Sequence, residues 1–465
     1  MRWIGLFIAA ALLAGCAAPP AGPGTAGIEA LFTVQGGGGS AQVRVLTRAA
    51  TCPQIAWQGR AREAMAVRAG PATIAARGGA GQPDTKPAQF DVLVCEAAWP
   101  PGVTAARIGA VAVPAPRAQV RRIAVIGDTG CRLKASDGAF QDCNDRDGWP
   151  LARVAASAAA MHPDLVVHVG DIHYRESPCP VGNGGCAGSP WGYGHDAWQA
   201  DFFTPARPLL LQAPWVFVRG NHEMCARAGQ GWFRFIDPLP WREQRSCNQP
   251  AFDGDADYSA PYAVALTPDE QLLVFDSAAA PFRAPAPGSA AFARYREQMV
   301  AVQALAARSA HNVFLSHHPL LAFVPGRAGA PPQPAGNAAL QAVAADLYPG
   351  RLFPAGVDLS MHGHIHLFES IGLAGGQPVS LVLGNSASAN EGAAPFPLPA
   401  GLQPYPGVVV RDYAARSEFG FAMLELQGGG SWLLTEYTAD GQPVLRCAIG
   451  DGRSVCSPAP AEPPR

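Results

Sequence analysis

The sequence predicts an α/β fold with its chemistry at the ends of strands, on three observations. From Arg121 onward, short apolar runs each terminate in a polar residue able to bind or donate. Helix-like stretches separate some of these runs. Glycine stands beside most of the polar residues, where the backbone has to turn sharply. Buried strands that empty into functional loops indicate an open sheet with a site along one edge.

The runs follow in order. Ile123-Ala124-Val125-Ile126 leads to Gly127-Asp128, and Leu165-Val166-Val167-His168-Val169 leads to Gly170-Asp171. Trp215-Val216-Phe217-Val218 leads to Gly220-Asn221-His222-Glu223. Asn312-Val313-Phe314-Leu315 leads to Ser316-His317-His318-Pro319, and Val357 to Met361 leads to His362-Gly363-His364-Ile365-His366. Helices are expected from Leu151 to Met161 and from Phe292 to Arg308. Strands at Val379 to Leu383, Phe421 to Leu426 and Trp432 to Tyr437 are expected to complete a second sheet. Together these segments define a catalytic domain over residues 119–440, with a tail at 441–465.

Upstream, residues 30–118 read as a small β domain, with alternating or β-branched runs such as Ala41 to Leu46 and Phe90 to Val94. Residues 16–29 are a Pro/Gly/Ala tether. Residues 1–15 carry one charge, Arg2, then an apolar run from Ile4 to Leu13 too short to span a bilayer, as in an export signal. Leu13-Ala14-Gly15-Cys16 resembles a bacterial lipobox. That resemblance implies acylation of Cys16 and a periplasmic protein anchored by lipid to a membrane, the outer one by expectation. Setting Cys16 aside leaves ten of the eleven cysteines. They fall into sequential pairs: Cys52 with Cys95, Cys131 with Cys143, Cys179 with Cys186, Cys225 with Cys247, Cys447 with Cys456. Disulfides fit an oxidising periplasm, although spacing alone leaves the connectivity open. No Cys-x-x-Cys occurs, which argues against a zinc–thiolate site. The net charge is -2 without a run of one sign, so no nucleic-acid partner is expected. Oligomeric state is not encoded in any pattern of the sequence.

The five endings supply two aspartates, an asparagine and several histidines. Hard oxygen donors mixed with imidazole suit Fe, Mn or Zn. An aspartate between two cations bridges them, and two metals roughly 3.5–4 Å apart clamp a phosphoryl group. Singly, each ending is ordinary: Gly-Asp after a strand makes turns and caps, and a lone histidine is usually structural. His364 and His366 alternate along the chain and so share a side. Asn221 is an unusual ligand that needs a special setting. Five such endings in fixed order outweigh the structural reading.

The order Gly-Asp, Gly-Asp, Gly-Asn-His-Glu, His-x-Pro, Gly-His-x-His resembles the calcineurin-like metallophosphoesterase superfamily, over residues 121 to about 440. The resemblance implies two mixed β-sheets flanked by helices and a dinuclear site at the sheet ends. One departure is informative. The superfamily opens with Gly-Asp-x-His, but here the fourth position is Gly130, while Tyr174 stands three residues past Asp171. Gly-Asp-x-Gly with Gly-Asp-x-x-Tyr is similar to the purple acid phosphatases, in which a tyrosinate replaces the histidine and favours Fe(III). The N-terminal β domain, by position, resembles their small β-sandwich.

Carried over position by position, the resemblance implies that Asp128, Asp171, Tyr174 and His366 hold the first metal. It implies that Asp171, Asn221, His317 and His364 hold the second, with Asp171 bridging. The pair is expected to be Fe(III) with a divalent Fe, Zn or Mn. His317 rather than His318 is the ligand because Pro319 fixes the His-x-Pro frame. His222 is expected to contact the phosphate and donate a proton to the leaving oxygen, oriented by Glu223. The implied reaction is hydrolysis of a small phosphate ester by a metal-bound hydroxide. A phosphodiesterase acting on nucleotides or phospholipid headgroups is the alternative within the class. A lipid-anchored binding protein with a degenerate site is the alternative outside it. Where purple acid phosphatases carry further phosphate-binding histidines, Leu320 to Pro325 has none, so substrate contacts must differ.

Other residues receive plainer readings. His168 is expected in the core, His173, His318 and His362 near the site, and His162, His195 and His311 at the surface. The stretch from Ser177 to Trp198 is expected to wall the pocket, with Trp191, Tyr193 and Trp198 available to stack on a substrate or to pack.

Overall fold

In the computed structural model, residues 27–77, 85–326, 330–390 and 398–460 are described. The lipobox and Cys16 lie outside them. In chain order the principal strands begin with β1 (Ile28–Gln35), β2 (Ala41–Thr47), β3 (Ala66–Ala69), β4 (Leu93–Ala98), β5 (Arg122–Ile126), β6 (Leu165–His168) and β7 (Trp215–Phe217). There follow β8 (Tyr262–Ala265), β9 (Glu270–Val274), β10 (His311–Leu315), β11 (Val357–His362), β12 (Phe368–Leu373), β13 (Val379–Leu383) and β14 (Val410–Arg416). The last four are β15 (Gly420–Gly428), β16 (Ser431–Thr438), β17 (Pro443–Gly450) and β18 (Arg453–Pro458). The main helices are α1 (Leu151–Ala160), α2 (Ala290–Ala306) and α3 (Ala338–Leu347).

Two mixed sheets face each other. The first runs β18-β17-β16-β15-β5-β6-β7-β1-β2-β4-β3, and the second β8-β9-β10-β11-β13-β12-β14. Strand alternation explains the layering. Ile123 and Val125 of β5 point into the core between the sheets, with Val167, Leu272, Val313, Leu359 and Leu381. Ala124 and Ile126 point the other way, into a core with Val154, Ala155 and Ala158 of α1. These helix residues recur at the spacing that makes one apolar stripe. On the outer face of the second sheet, Tyr295, Met299 and Val302 of α2 and Leu340 and Val343 of α3 close the fourth layer. Ser289 caps α2 through a bond from Phe292 N, and Asn337 caps α3 through one from Leu340 N.

The expected second sheet exists, but only β13 of the three assigned strands joins it. Phe421–Leu426 and Trp432–Tyr437 lie in the first sheet instead, because β15 pairs antiparallel with β5. The segment read as a tail supplies the hairpin β17–β18, paired to β16.

The N-terminal strands do build a sandwich. Val43, Val45 and Leu93 pack against Ile55, Trp57 and Ile108 of a separate four-stranded sheet. One of its two layers continues the catalytic sheet, since β1 pairs in parallel with β7 at Val34 and Trp215. Two buried arginines reinforce the join. Arg68 donates to the carbonyls of Phe233, Arg234, Asp237 and Leu239, and Arg44 to those of Phe235 and Asp237. Both also pair with Glu96. Burial, then the neighbouring Arg68, pulls the Arg44 guanidinium down to about 9. His195, expected at the surface, is buried in this region with Nδ1 2.8 Å from Asp91 and Nε2 3.1 Å from Glu29. The ten cysteines join in the five sequential pairs.

Candidate metal centre

The loops following β5, β6, β7, β10 and β11 converge at the carboxyl ends of the strands. Backbone bonds lock them together: Asp128 N donates to Gly170 O, Thr129 N to Asp171 O, and Gly363 N to His317 O. Asp128, Asp171 and His364 are held in the left-handed region, with φ of 52°, 55° and 71°. Such backbone is costly for non-glycine residues and persists where surroundings over-determine it. At Gly220 a side chain has no room, because a Cβ would lie 2.1 Å from Asp171 Oδ1.

These loops bring together all seven side chains expected as donors. Tyr174 Oη lies 3.0 Å from Asp128 Oδ1, 2.9 Å from Asp171 Oδ2 and 2.9 Å from His366 Nε2. His317 Nε2 lies 3.1 Å from the same Asp171 Oδ2 and 3.1 Å from Asn221 Oδ1, which is 3.1 Å from His364 Nδ1. Asp171 therefore stands where two groups of donors meet. The other ring nitrogens of His317 and His366 are tied to the carbonyls of Val169 and Ala389, at 2.9 and 2.6 Å. That fixes the tautomer and turns each Nε2 lone pair inward.

The donor chemistry fits two cations. Burial opposes the charged form of His317, yet Asp171 and Asp128 outweigh it and raise the ring to about 9. Burial, then Asp128 and Asp171, holds the Tyr174 phenol well above its usual range. Both shifts describe a buried carboxylate cluster short of positive charge, which cations held by these donors would supply.

Gly130 explains why tyrosine serves here. A Cβ at 130 would lie 2.6 Å from Tyr174 N and 2.7 Å from Ile172 O. The loop carrying Tyr174 fills the space a side chain at 130 would need. Asp201, which no sequence pattern marked, fixes that loop by accepting from Tyr174 N, Arg175 N and Cys131 N.

His222 sits against the Tyr174 ring, 3.9 Å between centroids. Its Nε2 faces the cluster, 3.8 Å from Asp171 Oδ2. Glu223 does not orient it. Glu223 accepts from the backbone of Asp171, Ile172, His173 and Gly220, stapling two ligand loops together. The partner of His222 is Glu176, whose Oε1 lies 2.7 Å from Nδ1, with Arg227 Nη2 at 2.5 Å from the same nitrogen. Arg227 is also ion-paired to Glu176. Burial, then Arg227, brings the His222 imidazole down to about 4, with Asp171 and Glu176 opposing.

The remaining histidines divide. His168 is buried and bonded to Thr129 Oγ1 at 2.9 Å, as a core residue should be. His173, His318 and His362 are buried beside the site. Tyr193 and Trp198 are taken into the core, where Trp198 stacks on His173 at 5.5 Å, so neither wall residue faces a substrate.

A two-sheet core with a cluster of carboxylate, phenol, amide and imidazole donors at its strand ends is the plan of a metal-dependent hydrolase. Residues 121–368 match the calcineurin-like phosphoesterase family, and the chain belongs to it. It is accordingly a hydrolase acting on phosphate esters. No curated protein sequence matches the chain. Among solved structures it is similar to a purple acid phosphatase from yellow lupin (Lupinus luteus) seeds. That likeness has a TM-score of 0.53 and 16% identity, covering 89% of this chain and 72% of the other. It is similar to PhoD at a TM-score of 0.53 and 13% identity, covering 96% and 94%. At these identities the likeness is one of fold.

Proposed function

We propose that the chain hydrolyses phosphate esters at a dinuclear centre of the purple-acid-phosphatase type. The observation that carries this reading is the Tyr174 hydroxyl, set among Asp128, Asp171 and His366 beside the space closed to a side chain at Gly130. In this reading Asp128, Asp171, Tyr174 and His366 hold Fe(III). Asp171, Asn221, His317 and His364 hold a divalent Fe, Zn or Mn. When bound, such a pair polarises the ester and lowers the pKa of water. In its charged form His222 donates from Nδ1 to Glu176, which leaves the Nε2–H to deliver a proton to the leaving oxygen. Glu223 and Asp201 keep the donor loops in register and touch no substrate.

We also propose export and acylation at Cys16. The sequence of residues 1–16 supports it, and five disulfides fit an oxidising compartment.

Elemental analysis combined with a panel of phosphate mono- and diesters, including phospholipid headgroups, tests the enzymatic reading. Two metals per chain and turnover of the esters are expected. A metal-free protein that turns over none of them would favour the binding-protein alternative.

A further inference from the structure

We propose that Phe282 is a stacking platform that selects phosphate esters whose alcohol carries a planar ring. The proposal rests on the phosphoesterase reading above. Of the seven donor side chains, five are buried, whereas Asn221 and His364 are partly exposed. The cluster therefore opens to solvent on the side of Asn221 and His364, and Phe282 stands there. Its ring lies 5.8 Å from that of His364 at 30° and 5.9 Å from that of His318 at 78°. The side chain is nevertheless 70% exposed. A single exposed apolar residue is ordinary on a protein surface. Position is what distinguishes this one, since it abuts a donor at the mouth of the site.

The platform is anchored from below. The loop 275–289 follows β9, which runs parallel to β10, so it emerges at the sheet edge that carries His317. Asp276 pairs with Arg219 at 2.9 Å, Ser277 Oγ accepts from His318 N at 3.0 Å, and Ala280 N donates to Ser277 O. Pro281, Pro285 and Pro287 further restrict the backbone. A ring presented this way loses little freedom when a ligand covers it.

Substrate chemistry gives the ring its use. Leu320, Leu321, Ala322 and Phe323 are fully buried, so these side chains after the His-x-Pro motif offer nothing to a substrate. Tyr193 and Trp198 are core residues. Phe282 adjoins His364, so only the part of a substrate next to the phosphate reaches it. A hydrocarbon ring there rewards an aryl or nucleobase-like group by offset stacking and gives a small alkyl alcohol little.

The test is calorimetric binding of two non-hydrolysable phosphonates to the metal-loaded protein. Wild type is expected to bind benzylphosphonate at least about fivefold more tightly than methylphosphonate, the range of one aromatic stack. Phe282→Ala should bring the two within about twofold, and Phe282→Trp should keep or widen the difference. Equal affinity in wild type, binding of neither, or a preference that Phe282→Ala leaves intact would overturn the proposal. A preserved ring preference without hydrolysis of any ester would overturn the phosphoesterase reading and leave the platform standing.

Discussion

Replacing Tyr174 with phenylalanine deletes one oxygen and leaves a ring that is 2% exposed and packed on His222. Packing should survive, so the loss falls on what the oxygen touches. That oxygen is within 3.0 Å of Asp128, Asp171 and His366. Without cations, two buried carboxylates lose a shared donor, which costs about 1–3 kcal/mol of stability. With cations, the first site loses one of its four donors. Removing even an outer partner of a metal ligand typically lowers metal affinity about 10–100-fold. Loss of a direct donor should reach at least the upper end, about 100-fold or ~3 kcal/mol. Elemental analysis after dialysis against a graded chelator reads the affinity, and visible absorption reads phenolate-to-ferric charge transfer. Wild type should be coloured and hold two metals. Tyr174→Phe should be colourless and keep the ion of Asn221, His317 and His364. Equal ferric affinity and an unchanged band in the variant would refute the reasoning.

Four further outcomes are expected. His222→Ala should retain both metals and lose turnover by roughly 10²–10⁴, and metal loss would mean His222 is a ligand; Glu176→Gln, which strips Arg227 of its buried counter-charge, should cost about 3 kcal/mol in urea unfolding with both metals retained. Glu436 is buried, and burial raises it from 4.5 to about 8 despite a bond from Asn385. The folded state therefore binds the extra proton, and stability falls by about 3 kcal/mol as pH rises from 4.5 to 7; Glu436→Gln should flatten that decline, and an unaltered slope would show that the carboxyl is not its source. Cys16→Ser should release the mature protein from membranes or block its maturation, whereas mature wild type that stays soluble and starts far from Cys16 would remove the anchor.

Legibility in the sequence followed the physics of each element. β5, β6 and β7 are covered on both faces, so they read as uninterrupted apolar runs. Their loops stood out because the donors come at the first residues beyond them. Which strands share a sheet was hidden, for periodicity names no partner. β15 and β16 have the texture of second-sheet strands and pair with β5 all the same. The partner of His222 was hidden for a similar reason. Glu223 is adjacent in sequence, but the turn at 221–223 directs its carboxylate to four backbone amides, and Glu176 arrives from another loop. His195 lacks a buried sequence context because its partners, Asp91 and Glu29, lie more than 100 residues away. Phe282 carries only a faint signal, an aromatic in a proline-rich loop after a strand.

The parallel pairing of β1 with β7 has a consequence for how the chain is made. Val34 meets Trp215 across about 180 intervening residues, so β1 leaves the ribosome long before its distant partner. Contacts of such separation fold slowly, and until they close, both strands present unpaired edges to other chains. A fragment starting at residue 119 would keep every donor of the cluster yet bare the β7 edge and the apolar face of Trp215 and Phe217 that Phe32 and Val34 cover. The amino-terminal strands thus act as the built-in cover of an aggregation-prone margin, and cutting the chain down to its catalytic motifs would discard what keeps that margin closed.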